Sequence, residues 1–149
     1  MPDAGLFELQ QTLAREMPIC TAMGIRPVQW IDRRLSMSMP LEPNKNHQYS
    51  AFAGSLNALC TIVGWGTVFL LLRDEGRGGN IVIRRSSIRY LRPVREATII
   101  ARGLTLDPEG THFFYELLRS KGVSKIDVAA AIDDAQGTLV SFQGSYVVQ

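Results

Sequence analysis

Chemistry in this sequence of 149 residues can come from few side chains: His47 and His112, Cys20 and Cys60, and the polar run Pro43-Asn44-Lys45-Asn46-His47-Gln48. A Ser-His-Asp triad has little support, because the nearest approach to Gly-x-Ser-x-Gly is Phe52-Ala53-Gly54-Ser55-Leu56. The cysteines and the two distant histidines have no zinc spacing, and no glycine-rich loop follows a strand as a phosphate-binding fingerprint requires. No metal and no bound cofactor are therefore expected. The polar run, however, leads straight into a long apolar segment. A helix starting there has unpaired N–H groups and the positive end of its dipole at the junction. Such a junction can hold an oxyanion: backbone donors near Gly54 and Ser55 would stabilise a carbonyl under attack by water, and Gly54 would let a substrate come close. Asn46 or His47 could orient the water. The same residues also fit a plainer role, with Ser50 or Ser55 capping the helix and Asn44 and Asn46 closing the loop.

The elements that must position this junction can be read from periodicity. The long helix covers about residues 52–73, inside a stretch, 48–72, without a charged side chain. Ahead of it, Asp3 can cap an amphipathic helix in which Leu6, Leu9, Leu13 and Met17 repeat at helical spacing, closed by Pro18. From Gly24 to Leu41 the pattern is extended, with Val28 and Trp30 on one parity and Leu35, Met37, Met39 and Leu41 on one face; one bent strand or two would account for it. Four further extended segments follow at 81–90, 97–105, 124–133 and 139–148. A short helix lies at 108–120, with Phe113, Phe114, Leu117 and Leu118 on one side, and a hairpin turn at Asp134-Ala135-Gln136-Gly137. Ile126, Val128, Ala130 and Ile132 alternate with Lys125 and Asp127, which signals a sheet with one wet face. The fold class is α+β: a curved antiparallel sheet wrapped on one helix.

Length and composition, with 46% hydrophobic and 20% charged residues, fit one domain over 1–149 with a packed core. A net charge of +2 is too balanced for a general nucleic-acid surface. The arginine excess is local, with Arg77, Arg84, Arg85, Arg89, Arg92, Arg95 and Arg102 close together; they fit either an anion site or solvated strand faces. The uncharged stretch is long enough to cross a bilayer. Its small and polar residues, and a sheet whose apolar face needs this helix as cover, argue for burial and against a membrane span. The amino terminus has no secretory pattern, so the cytoplasm is expected.

Asn44-Lys45-Asn46, Ala51-Phe52-Ala53-Gly54-Ser55-Leu56, Gly64-Trp65-Gly66 and Ile88-Arg89-Tyr90-Leu91-Arg92-Pro93-Val94, in that order, resemble the hot-dog-fold thioesterase domain of the YiiD carboxyl-terminal type. The resemblance covers nearly the whole chain. It implies the hot-dog fold, a homodimer whose sheets join edge to edge and which can pair again into a tetramer, and an acyl-thioester substrate carried by coenzyme A or an acyl-carrier protein. The pantetheine arm would enter near the dimer interface, with the thioester carbonyl at the helix amino terminus beside Asn46 and Gly54.

Many relatives carry His-Gly-Gly at the helix start and an acid about two turns later. Here Phe52-Ala53-Gly54 and Thr61 stand in those places, and residues 44–72 contain no carboxylate. A base must then be His47, Thr61 acting through water, or a residue of a partner subunit. The resulting expectations are Asn46 for water or carbonyl positioning, Gly54 and Ser55 for the oxyanion hole, Thr61 for water binding, and Phe52 and Ala53 for substrate contact. Arg84, Arg85 and Arg92 are the expected phosphate ligands, because a guanidinium binds phosphate in a bidentate fork. A non-catalytic acyl-thioester binding module is the alternative that the missing carboxylate favours. A dehydratase on the same fold ranks last, because Phe52 and Thr61 replace the histidine and acid it needs.

Overall fold

The computed structural model describes residues 3–149. Asp3 caps helix α1 (Ala4–Glu16), its carboxylate accepting the amides of Gly5 at 2.8 Å and Leu6 at 3.2 Å. Pro18 does more than close α1. It stands in the first turn of a second helix, α2 (Pro18–Met23), where its missing N–H costs nothing. Gly24, expected to open the extended segment, ends α2 in the left-handed region at φ 75°.

Two strands follow, β1 (Arg26–Ile31) and β2 (Arg34–Pro40), joined by Asp32 and Arg33, both at positive φ as a tight hairpin turn requires. Val28 and Trp30 do not share a face. A bulge between Pro27 and Gln29 breaks the alternation, leaving Val28 exposed while Trp30 packs on the core. A 3-10 turn (Glu42–Asn44) leads to the long helix α3 (Ala53–Asp74), then β3 (Ile81–Tyr90), β4 (Thr98–Gly103), α4 (Pro108–Lys121), β5 (Ser124–Asp134) and β6 (Gly137–Val148). Residues 48–52 precede the helix as turn and bridge. In α4 the buried side is Thr111, Phe114, Tyr115 and Leu118, and Phe113, expected with them, is 61% exposed. The hydroxyl of Tyr115 donates to the Leu71 carbonyl at 3.4 Å, and that bond satisfies a polar ring which replaces Phe113 in the core.

The six strands form one antiparallel sheet in the order β1-β2-β4-β5-β6-β3. The sheet curls around α3 in the hot-dog arrangement. Leu35, Met37 and Met39 of β2, Ile99 and Ala101 of β4, Ala130 and Ile132 of β5 and Phe142 of β6 bury against α3. Each such aliphatic side chain contributes roughly 1.5–3 kcal/mol by leaving water. Two glycines set the approach distances. A Cβ on Gly66 would stand 2.6 Å from Leu35, and one on Gly64 would stand 2.1 Å from the hydroxyl of Tyr146. Of the most apolar window of α3, 72% is buried inside the fold, so the helix is spent on the protein's own core.

Candidate active site

The loop before α3 is held by two asparagines with different tasks. Asn44 is buried, and its Nδ2 donates to the carbonyls of Met23 and Pro40, both at 2.8 Å, tying the loop to the ends of α2 and β2. Asn46 is half-buried. Its Oδ1 accepts the amides of Gln48 at 2.9 Å and Ser50 at 3.2 Å, and its Nδ2 donates one hydrogen to Ser50 Oγ at 3.0 Å. Tyr49, at φ 60°, completes the tight turn. His47 lies at the exposed tip of this loop. The loop is therefore closed by asparagine bonds, as its plainer reading requires. Among the described residues one hydrogen on Asn46 Nδ2 has no acceptor.

Phe52 caps α3 through its backbone only; neither Ser50 nor Ser55 provides a side-chain cap. The amides of Ser55, at 3.0 Å, and Leu56, at 3.1 Å, both donate to the Phe52 carbonyl. Ser55 N–H is thus engaged, and the donors without an acceptor among the described residues are those of Ala53 and Gly54. They stand at the positive end of a 22-residue helix dipole. The exposed Phe52 ring lies over Gly54, where an added Cβ would come within 2.4 Å of it. Tyr90, at the end of β3, donates its hydroxyl to the Ala53 carbonyl at 3.2 Å. Burial, and secondarily the neighbouring Cys60 thiol, push the Tyr90 phenol up, so it stays protonated at neutral pH.

Along α3 from this end, Asn57, Thr61, Trp65 and Phe69 are half-buried at four-residue spacing, a stripe the sheet does not cover. Thr61 Oγ1 donates to Asn57 Oδ1 at 3.4 Å. Trp65 stacks on Phe69 at 5.6 Å between ring centroids and donates Nε1–H to the Ile81 carbonyl at 3.2 Å. Beneath the stripe the fully buried Cys60 thiol is pushed up to about 12 by burial, which makes it an inert packing group.

The three arginines separate. Arg92 is committed to the β5–β6 turn, donating to Asp134 Oδ1 and to Gln136 Oε1, each at 3.1 Å. Arg84 and Arg85 stand at a bulge in β3 and, with Lys125, Phe113 and Leu117, line an outer cavity of about 410 Å³ that also contains Asp107 and Asp127. From Arg85 to Tyr90 is five residues of strand, roughly 17 Å. The structure thus brings Phe52, Ala53, Gly54 and Tyr90 together at the start of α3, puts Asn46 in the loop that leads into it and Thr61 two turns along it, and leaves Arg84 and Arg85 apart.

A family model described as putative thioesterase (yiiD_Cterm) matches residues 6–149. The chain belongs to this family. A putative thioesterase from Shewanella oneidensis is 30% identical, with a TM-score of 0.87 and coverage of 97% of this chain and 96% of that one. A protein of unknown function from Chlorobaculum tepidum TLS is 28% identical, with a TM-score of 0.89 and 98% of each chain covered. A protein from Pseudomonas aeruginosa described as a probable thioesterase, 22% identical at a TM-score of 0.74 over 96% and 95% of the two chains, shares the fold. Thioester hydrolysis is the activity this family supports.

Sequence reasoning missed one residue at this site. Tyr90 was visible only as part of a strand motif.

Proposed function

We propose that this protein is an acyl-CoA or acyl-carrier-protein thioester hydrolase. The observation that carries this reading is the pair of Ala53 and Gly54 amides, without an acceptor among the described residues, where the loop of Asn46 and the hydroxyl of Tyr90 reach the start of α3 in a member of a thioesterase family. Water attacks the thioester carbonyl carbon, the two amides take the developing oxygen charge, and the carbon–sulfur bond breaks to release a thiolate. Asn46 Nδ2 holds the carbonyl or the water. The proton goes to His47, to water bound at Thr61, or to a group of a second subunit. The thioester is substrate, and no cofactor takes part.

The active form is a homodimer, and a tetramer can build on it. Support comes from β3, an edge strand of 10 residues with Val82 and Tyr90 exposed, lying beside the uncovered α3 stripe. Such an edge is a template for pairing with a second copy. Arg84 and Arg85 receive the phosphates of coenzyme A or of a carrier protein's prosthetic arm, at a distance that an extended pantetheine can bridge. Free Cys20 and Cys60, both buried, agree with a cytoplasmic setting.

A second reading, a binding module for acyl thioesters, is favoured by the lack of a carboxylate between residues 44 and 72. Thiol release by the wild type and Asn46→Ala, measured beside binding of a hydrolysis-resistant thioether analogue, separates the two. Turnover that falls at least tenfold in Asn46→Ala supports the hydrolase. Binding without turnover in either protein supports the module.

A further inference from the structure

On the outer face of the sheet, Arg85, Ser145 and Asp127 stand in one row across β3, β6 and β5, and Lys125 pairs with Val147 in the neighbouring row of the same face. Helix α4 adds Phe113 and Leu117 to the lining of the cavity of about 410 Å³ found there. The lining has a cationic half. Arg84, Arg85 and Lys125 are exposed and enter no ion pair among the described residues. The other half is an apolar shelf of Phe113, Leu117 and Val147. Phe113 is 61% exposed, and no ring among the described residues stacks on it, since His112 meets it at an interplanar angle of 65°.

Two carboxylates also face the cavity. Asp107 Oδ2 accepts the Gly110 amide at 3.0 Å, and Asp127 Oδ1 accepts the Ser145 hydroxyl, which leaves the second oxygen of each as an acceptor. A bare anion gains little from cations offset by these acids. A ligand that joins phosphate to a flat ring and to N–H or O–H donors uses every part of the lining: a guanidinium forks onto phosphate, an aromatic side chain takes the face of a base, and a carboxylate accepts from a hydroxyl or amino group. The volume also suits a small organic ligand.

We propose that this cavity binds a phosphorylated adenosine, with the base on Phe113 and Leu117, the phosphates on Arg84, Arg85 and Lys125, and the ribose hydroxyls or adenine amine on Asp107 and Asp127. Two sources share that chemistry, the nucleotide end of an acyl-CoA substrate and a free nucleotide. Assigning the first source rests on the thioester-hydrolase reading; the site itself does not.

The probe is adenosine 3′,5′-bisphosphate, titrated calorimetrically into the wild-type protein beside inorganic pyrophosphate, which has no base. The bisphosphate should bind at least about tenfold more tightly, the factor that stacking on one aromatic ring supplies. Phe113→Ala, at an exposed helix position, should keep the unfolding temperature, weaken the bisphosphate about tenfold and leave pyrophosphate unchanged. Lys125→Ala should weaken both ligands. No binding of the bisphosphate, equal affinity for the two ligands, or a bisphosphate affinity that Phe113→Ala leaves unchanged overturns the inference, whether or not the protein hydrolyses thioesters. Competition then identifies the source, and either result supports the site. A bisphosphate that raises KM for acyl-CoA and leaves turnover of acyl-N-acetylcysteamine thioesters unchanged marks the nucleotide end of the substrate, and one that alters both marks a free nucleotide. A wild type that binds the bisphosphate and turns over no thioester removes the hydrolase reading and keeps the site.

Discussion

Replacing Gly64 with alanine puts a methyl group 2.1 Å from the hydroxyl oxygen of Tyr146 and 2.3 Å from the ring carbon that bears it. Neither side can yield cheaply. Gly64 is in the middle of α3, and Tyr146, near the end of β6, is flanked by Ile83 of β3 and Ile126 of β5 and fully buried, with its hydroxyl donating to the Thr61 carbonyl at 2.7 Å. Burial pushes this phenol well up, so it is a permanent donor. Overpacking a core costs about 1–3 kcal/mol, and leaving a buried hydroxyl or carbonyl unpaired costs about 1–3 kcal/mol more. Against these stands a gain of about 1 kcal/mol for alanine over glycine in a helix interior. The net destabilisation is about 2–4 kcal/mol, combining these terms. At about 2–4 °C per kcal/mol for a chain of this length, the unfolding temperature falls by roughly 5–15 °C. Thermal and urea unfolding of Gly64→Ala, with Gly78→Ala as a control at a site where a Cβ meets nothing within 4 Å, measure it. A Gly64→Ala protein as stable as the wild type, or stabilised by the helix-propensity gain, would refute the packing argument.

Asn44→Ala removes the buried amide that donates to the carbonyls of Met23 and Pro40 and should cost about 1–3 kcal/mol, seen as a lower urea midpoint with an unchanged slope. An Arg84→Ala, Arg85→Ala double variant should raise KM for acyl-CoA about tenfold, a loss of about 1.4 kcal/mol, and leave KM for acyl-N-acetylcysteamine thioesters unchanged; an equal rise for both substrates would remove these arginines from phosphate binding. The Arg102 guanidinium, hydrogen-bonded to Asp133, holds that carboxyl below the usual carboxylate range, with Thr138 adding to the effect. A depressed folded-state pKa stabilises the fold above the ordinary carboxylate value of about 4 and loses this contribution as pH falls through the lower value. The stability of Asp133→Asn should therefore depend less steeply on acid pH than that of the wild type, by urea unfolding between pH 7 and pH 2.

The strands were legible where the chain obeys a simple period. The Ile126, Val128, Ala130, Ile132 alternation gives β5, because that strand buries one face, and β3 has the bounds read for it. What escaped sequence reading depends on contacts made far along the chain. The bulge at Pro27 moves Val28 outward. In α4, Tyr115 enters the core in place of Phe113 because its hydroxyl reaches Leu71 and its ring lies between the guanidiniums of Arg33 and Arg119, at 5.4 and 5.3 Å. Arg92 resembles a free cation until Asp134 arrives beside it. At the candidate site the motif residues Phe52 and Gly54 meet, but which amides stay open follows from the backbone: the Phe52 carbonyl takes both Ser55 and Leu56, and those of Ala53 and Gly54 are left without an acceptor among the described residues.

Hydrolysis itself is the central claim, and thiol release from a panel of acyl-CoA thioesters of varied chain length tests it most directly. Cys20 and Cys60 are buried, so a thiol reagent reads the released coenzyme A and not the native protein. The account predicts turnover of at least one member of the panel by the wild type, reduced at least about tenfold in Asn46→Ala through loss of a positioning hydrogen bond. No thiol release from any member, by a folded protein that still binds a thioether analogue, would contradict it.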